Sequence, residues 1–307
     1  MRVTAFHYGA HVAEHDLLPP EERCPACLRI GGRRAVFRVQ EEPRIVMLAC
    51  PACRVASASR MPTPAVLQRY YASYYQGKDE KLTCPDVPGM ARRLVRYVAS
   101  APPGRTLRLL DFGGGDGSLG RGVADALLSR QRQARIEVDV VDYQAVGPYS
   151  TNRIAVTGFR NLDEITGSYD FVIASAILEH IPEVHDVVVR LLGSVNPGGA
   201  FYARTPWVLP LAGVARNLDL TFPAHVHDMG ALFWNRAAQT FGVRATYAFS
   251  RPSPVETIFR ANPFRSVAAT LLKLPALLEG SVFADTTRDP FWRFVGGWEV
   301  MLLLSGG

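Results

Sequence analysis

Long apolar runs are missing from this chain. No stretch approaches the roughly 18 residues that a membrane span needs, and Met1-Arg2-Val3-Thr4 does not begin the positive-then-apolar layout of a secretory leader. The expectation is a cytoplasmic protein with no membrane segment. Lysine is scarce: Lys78, Lys81 and Lys273 stand alone, and arginine makes up the rest of the 34 basic side chains. The formal charge of +6 would suit a polyanion, but the arginines are scattered in small groups, among them Arg33-Arg34, Arg92-Arg93 with Arg96, and Arg260 to Arg265. A nucleic-acid partner wants basic side chains gathered on one face, so this class is disfavoured. Five cysteines without a leader speak against a disulfide framework. Nothing argues for disorder, because 48% hydrophobic and 20% charged residues in 307 positions supply a core for one large domain with an appendage.

Four of the cysteines form two knuckles, Cys24-Pro25-Ala26-Cys27 and Cys50-Pro51-Ala52-Cys53, with 22 residues between the pairs. The intervening segment reads as strands over Arg34 to Val39 and Arg44 to Leu48. Zinc ribbons commonly place roughly 15 to 20 residues there, so the spacing is close. Four thiolates close a tetrahedral Zn2+ site with no open position, which makes the expected ion structural, holding a segment too short to make its own core. A redox pair needs one knuckle at a helix start, and two matching knuckles argue against it. Cys84 is left over and reads as inert.

The rest is organised around Leu107 to Gly120. An apolar run, Leu107 to Leu110, ends in Asp111 and opens into Phe112-Gly113-Gly114-Gly115-Asp116-Gly117, after which Leu119 to Leu128 is amphipathic. That pattern is a strand, a tight turn and a helix start. Glycine permits positive φ and lets a ligand lie against the backbone, with the first-turn N–H groups pointing at it. A dinucleotide fingerprint wants G-x-G-x-x-G, whereas Gly113, Gly115 and Gly117 are evenly spaced behind Asp111, and no Lys-Ser/Thr follows to make a phosphate loop.

Asp111 to Gly117 resembles the acid-x-G-x-G-x-G motif of class I S-adenosylmethionine-dependent methyltransferases. The likeness continues through the strand Val138 to Val141 ending at Asp142, through Tyr169 to Ile173 leading into Leu178-Glu179-His180, and on to Pro206. It implies a Rossmann-like, doubly wound α/β sheet of seven strands with the last one antiparallel, and S-adenosyl-L-methionine as cofactor. Residue by residue, it implies that Gly113, Gly115 and Gly117 lie against the donor, that Asp111 orients the turn and the methionine amine, and that Asp142, with Tyr143 beside it, meets the ribose. Asn161 falls at the adenine edge and Ser175 beside the reactive methyl.

Between ribbon and glycine turn, Ala65 to Gly77 carries tyrosines at positions 70, 71, 74 and 75, a wide aromatic stripe on a helix. It reads as core packing or as a flap over the cofactor, with Tyr71 and Tyr75 the contacts. After the fifth strand, Ala200 to Ala203, the segment Thr221 to Asp228 holds His225, His227 and Asp228. Methylating a hydroxyl requires a base, and histidine titrates nearest neutrality, so His225, His227 and His180 are the candidate catalytic residues. Asp228 could cap the helix expected over Gly230 to Thr240, and a metal site of His-x-His plus Asp is the other reading of this cluster. Val243 to Phe249 and Gly296 to Leu304 read as closing strands separated by an insertion with a helix, Val267 to Leu278, long enough for a lid, with Arg251, Glu256 and Arg265 its candidate polar contacts.

The expected organisation is an arm and zinc ribbon over 1–62, a helical linker or flap over 63–104, and a methyltransferase domain over 105–307 with an insertion at 250–293. The expected activity is methylation of a small molecule, a sugar or secondary metabolite, on oxygen, nitrogen or carbon. The alternatives are an RNA methyltransferase gripping through the ribbon, which would want more aromatics than Phe37 between Cys24 and Cys53, and a non-catalytic module that binds S-adenosylmethionine.

Overall fold

The computed structural model of the chain describes residues 10–74, 86–99, 104–131, 135–143, 146–210, 222–254, 263–282 and 296–305. Tyr75, Cys84 and Glu256, the last a candidate lid contact, lie outside the described residues.

The larger sheet begins with β4, Thr106–Phe112, after three strands of the N-terminal module. Its apolar side chains alternate with little polarity because both faces are covered. Leu107, Leu109 and Leu110 are all buried, as is every residue of β8, Tyr169–Ser175. In chain order β5, Arg135–Val141, the two-residue β6, Tyr149–Ser150, and β7, Ile154–Phe159, come between β4 and β8, and β9, Val195–Trp207, β11, Ala245–Pro252, and β12, Gly296–Leu304, come after. The order is β11-β12-β9-β8-β4-β5-β7-β6. Strands β4, β5, β7, β8 and β9 are mutually parallel, and β12 enters antiparallel between β9 and β11. This is the expected seven-strand arrangement, with β6 added as a short antiparallel edge. Helices α2, Val87–Leu94, and α3, Ser118–Arg130, cover one face, and α4, Val184–Gly193, covers the other. The order reverses beside β4, so the carboxyl ends of β4, β5 and β8 flank the crevice where open α/β sheets take ligands.

The N-terminal module is a second sheet of β1, Arg34–Gln40, β2, Ile45–Ala49, and β3, Ala56–Ala58. Its fourth strand, β10, is His227–Asp228, contributed from beyond β9: His227 pairs with Ser57 and Asp228 with Ala56. The knuckles pack into the core on the α4 face of the large sheet, where the Ala26 carbonyl lies 2.8 Å from His185 Nδ1. Within the described part of the arm, apolar side chains reach the core of this module. Val12 and Leu17 are buried with Phe37, Ile45 and Met47, and Leu17 bridges Pro62.

Helix α1 spans Pro64–Tyr74. The helix expected over Gly230 to Thr240 is instead two short ones, α5, Ala231–Trp234, and α6, Ala237–Thr240. The Tyr247 hydroxyl donates to the Trp234 carbonyl at 2.7 Å and accepts the Ala238 N–H at 3.2 Å. A side chain inserted into the i to i−4 ladder breaks it there. The insertion helix, α7, Pro263–Val282, is longer than its apolar pattern implies, and Arg251, a candidate lid contact, lies on β11 itself, donating to Glu299 at 2.8 Å.

Candidate active site

The glycine turn is built by three anchors. Asp111, buried at the end of β4, turns back and accepts the Gly120 N–H at 2.8 Å, and burial pushes its carboxyl up to about 7. The Gly113 N–H donates to the Val141 carbonyl at 2.8 Å, tying the turn to β5. Gly113 has φ +70, and a Cβ there would lie 2.4 Å from Ile177. Gly115 has φ +58 with nothing within 4 Å of its Cβ position, so this side of the turn faces open space. Its N–H donates to Asp142 Oδ2 at 2.9 Å, which brings the acid of the second strand against the turn. The exposed Tyr143 ring follows it and lies 5.9 Å from that of Tyr71. A bare backbone and the Asp142 carboxylate thus meet at one place, and a carboxylate can accept the two hydrogen bonds of a diol. Asn161 is not held toward that cleft: its backbone N–H and its amide both donate to Glu164, closing a local turn.

Beyond β8 the backbone bends sharply, with Ala176 at φ 57. Ser175 Oγ is buried there with no partner among the described residues. A short 3-10 turn, Leu178–His180, then places Glu179 and His180 over the strand ends. Glu179 is 3% exposed, its Oε2 has no hydrogen-bond partner among the described residues, and burial raises its pKa to about 8 against the pull of Arg204. His180 Nδ1 lies 3.0 Å from both the Ala224 carbonyl and the Tyr71 hydroxyl. The His180 and His225 rings are 4.6 Å apart, edge to face. Tyr71, His180 and His225, far apart in sequence, meet here.

His227, expected with them as a catalytic candidate, is placed elsewhere. Its Nε2 lies 2.8 Å from the Ile181 carbonyl and its Nδ1 2.9 Å from the Ser57 hydroxyl. With Nε2–H donating and Nδ1 accepting, both ring nitrogens are spent in the seam between the two sheets. Burial lowers its pKa to about 4, holding it neutral. Asp228 is not a helix cap either: it accepts the Val208 and Leu209 N–H groups at 2.8 and 2.7 Å, while Gly230 occupies the N-cap of α5. In a regular strand residues i and i+2 share a face; His225 escapes that rule because β10 begins only at His227, and the irregular stretch before it brings the His225 ring to His180 while His227 enters the seam. The Ser57 partner carried no sequence signal.

The four knuckle cysteines form the other cluster. Cys24 Sγ and Cys53 Sγ are 3.6 Å apart, Cys27 Sγ and Cys50 Sγ 3.7 Å, and none is in a disulfide. Four sulfurs each about 2.3 Å from one ion make a tetrahedron with edges of about 3.8 Å, so the quartet fits Zn2+. The knuckles match in detail: the Leu28 and Arg54 N–H groups donate to the Cys24 and Cys50 carbonyls at 2.9 and 3.0 Å, and both residues have positive φ.

A family model described as a methyltransferase domain matches residues 86–247, more than half of the chain. No curated protein matches. Among solved structures, an O-methyltransferase family protein from Burkholderia thailandensis is 12% identical with a TM-score of 0.38, the match covering 72% of this chain and 55% of that one. The N-methyltransferase NodS from Bradyrhizobium japonicum is 8% identical with a TM-score of 0.39, covering 73% and 99%. The plantazolicin methyltransferase BamL, solved with S-adenosylhomocysteine, is 11% identical with a TM-score of 0.42, covering 79% and 91%. The glycine turn, Asp142 and strands β4 to β9 of the large sheet all lie within the matched residues, and the chain belongs to this methyltransferase-domain family.

Proposed function

We propose that the chain transfers a methyl group from S-adenosylmethionine to a small molecule. The observation that carries this reading is the open backbone at Gly115, latched by Asp142 at the carboxyl ends of β4 and β5. Gly113, Gly115, Gly117, Asp142 and Tyr143 would hold the donor, with Tyr71 covering it from α1; Tyr75, outside the described residues, is a candidate from the sequence alone. Bound there, the donor supplies an electrophilic methyl on a sulfonium. The chain's own contribution is alignment and a drier site, together with control of the acceptor's proton at His180 and His225. A hydroxyl acceptor fits that pair best, since it must lose a proton on methylation; a sugar or secondary metabolite is the class we favour.

The ribbon, in this reading, is structural. Zn2+ closes residues 24–53 and fixes the seam that positions the segment carrying His225. The unit from 105 to 307 does the chemistry, the arm and ribbon over 1–62 and the linker over 63–104 brace it, and 250–293 covers the acceptor. No helix among the described residues is long and apolar enough to cross a membrane, and reduced thiols suit our placement in the cytoplasm.

The test is transfer of labelled methyl from S-adenosylmethionine to pooled hydroxylated and amino metabolites, with RNA as a parallel arm. Product in a metabolite pool, lost in Asp142→Asn, is expected. Label in RNA alone would overturn the small-molecule reading.

A further inference from the structure

Glu179, His180 and His225 are three side chains of metal-ligating chemistry whose ligand atoms all lie within 4.8 Å of one another. Burial of a carboxylate oxygen without a partner is costly and calls for an explanation. Glu179 Oε2 is such an atom, on a side chain 3% exposed. Its Oε1 lies 3.9 Å from His180 Nε2. The opposite nitrogen of that ring, Nδ1, is 3.0 Å from the Ala224 carbonyl. An imidazole that donates Nδ1–H to a backbone carbonyl presents the Nε2 lone pair, which is how proteins orient a ligating histidine. Ala224 adjoins His225, so one short segment both fixes the first ring and carries the second.

We infer that Glu179, His180 and His225 bind one divalent first-row transition ion at the acceptor end of the cleft. Two imidazoles and one carboxylate leave coordination positions open, and the ligand class these would take is an acceptor hydroxyl, whose proton the ion would loosen in place of the two histidines, since a ring nitrogen bound to a metal accepts no proton. The site is chemically distinct from the cysteine quartet, which has no open position. The inference rests on the proposed reading of the cleft for its role, but not for its existence.

The test is a Co2+ titration of the zinc-loaded chain followed by visible absorption. Expected is one further ion per chain with the weak bands of nitrogen and oxygen ligands, and without the sulfur charge-transfer bands that Co2+ in the ribbon would give. Glu179→Gln and His225→Gln should each weaken that binding about tenfold or more, and the near-isosteric replacements keep the fold testable by circular dichroism. S-adenosylhomocysteine binding on the same sample separates the two claims. A chain that binds it but takes up no second ion, or whose Co2+ affinity is unmoved by both substitutions, overturns the metal site alone.

Discussion

Asp142 and Gly115 are joined across one strand spacing: the carboxylate at the tip of β5 accepts the N–H of a glycine in the turn after β4 at 2.9 Å. The contact fixes the acid where a sugar diol would meet it and holds the turn open beside it. Replacing Asp142 by Asn keeps the shape and removes the charge. Charged hydrogen bonds contribute about 1.5–3 kcal/mol, so S-adenosylhomocysteine affinity should fall roughly ten- to a hundredfold with little change in melting temperature. Calorimetric titration of the variant checks this.

Two alanines in the same turn should behave differently. Gly115→Ala accepts a left-handed backbone cost of roughly 1–2 kcal/mol and points its methyl into open space. Gly113→Ala drives its methyl into Ile177. The first should fold and lose most donor binding, while the second should melt markedly earlier. Paired melting curves and titrations decide, and wild-type binding by Gly115→Ala would remove the cradle.

Burial holds His227 neutral, with a pKa of about 4 in the fold against 6.5 unfolded. The unfolded chain therefore binds the proton first as pH falls. Stability from this group is complete above about 6.5 and declines down to about 4. Denaturant curves should show the wild type losing about 1.4 kcal/mol per pH unit more than His227→Gln between these limits. Parallel curves for the two proteins would contradict the buried seam.

Removing the ribbon's ion should reach the catalytic sheet. Strand β3 pairs with β10, and Cys24, Cys50 and Cys53 pack into the core that covers β8 and β9. A strong chelator should lower the melting temperature of the whole chain in one transition, by roughly 10 °C if several kcal/mol are lost at about 2–4 °C each. A separate low-temperature transition with the main one unmoved would make the ribbon an independent unit.

The parts of this fold written in local pattern could be read directly. The doubly buried strands at Leu107 to Leu110 and Phe171 to Ala174, the glycine turn and the paired knuckles each carry a period or spacing set by one element. What could not be read depends on distant partners. Strand β10 is two residues long and gains its identity only by pairing with Ser57 and Ala56. The break between α5 and α6 comes from the Tyr247 hydroxyl on another strand. His225 and His227 stand two residues apart and have different fates, because His225 precedes β10 and meets His180 whereas His227 lies in β10 and is held by Ser57 and Ile181. Within the arm, Val12 and Leu17 were isolated apolar residues in a polar stretch, too few to show a period.

The central claim is that the turn after β4 receives S-adenosylmethionine, and isothermal titration of the zinc-loaded chain with S-adenosylhomocysteine tests it most directly. The account predicts saturable binding at one site per chain, weakened by Asp142→Asn and by Gly115→Ala. A folded, zinc-loaded sample that releases no heat and shows no protection from thermal unfolding would contradict it.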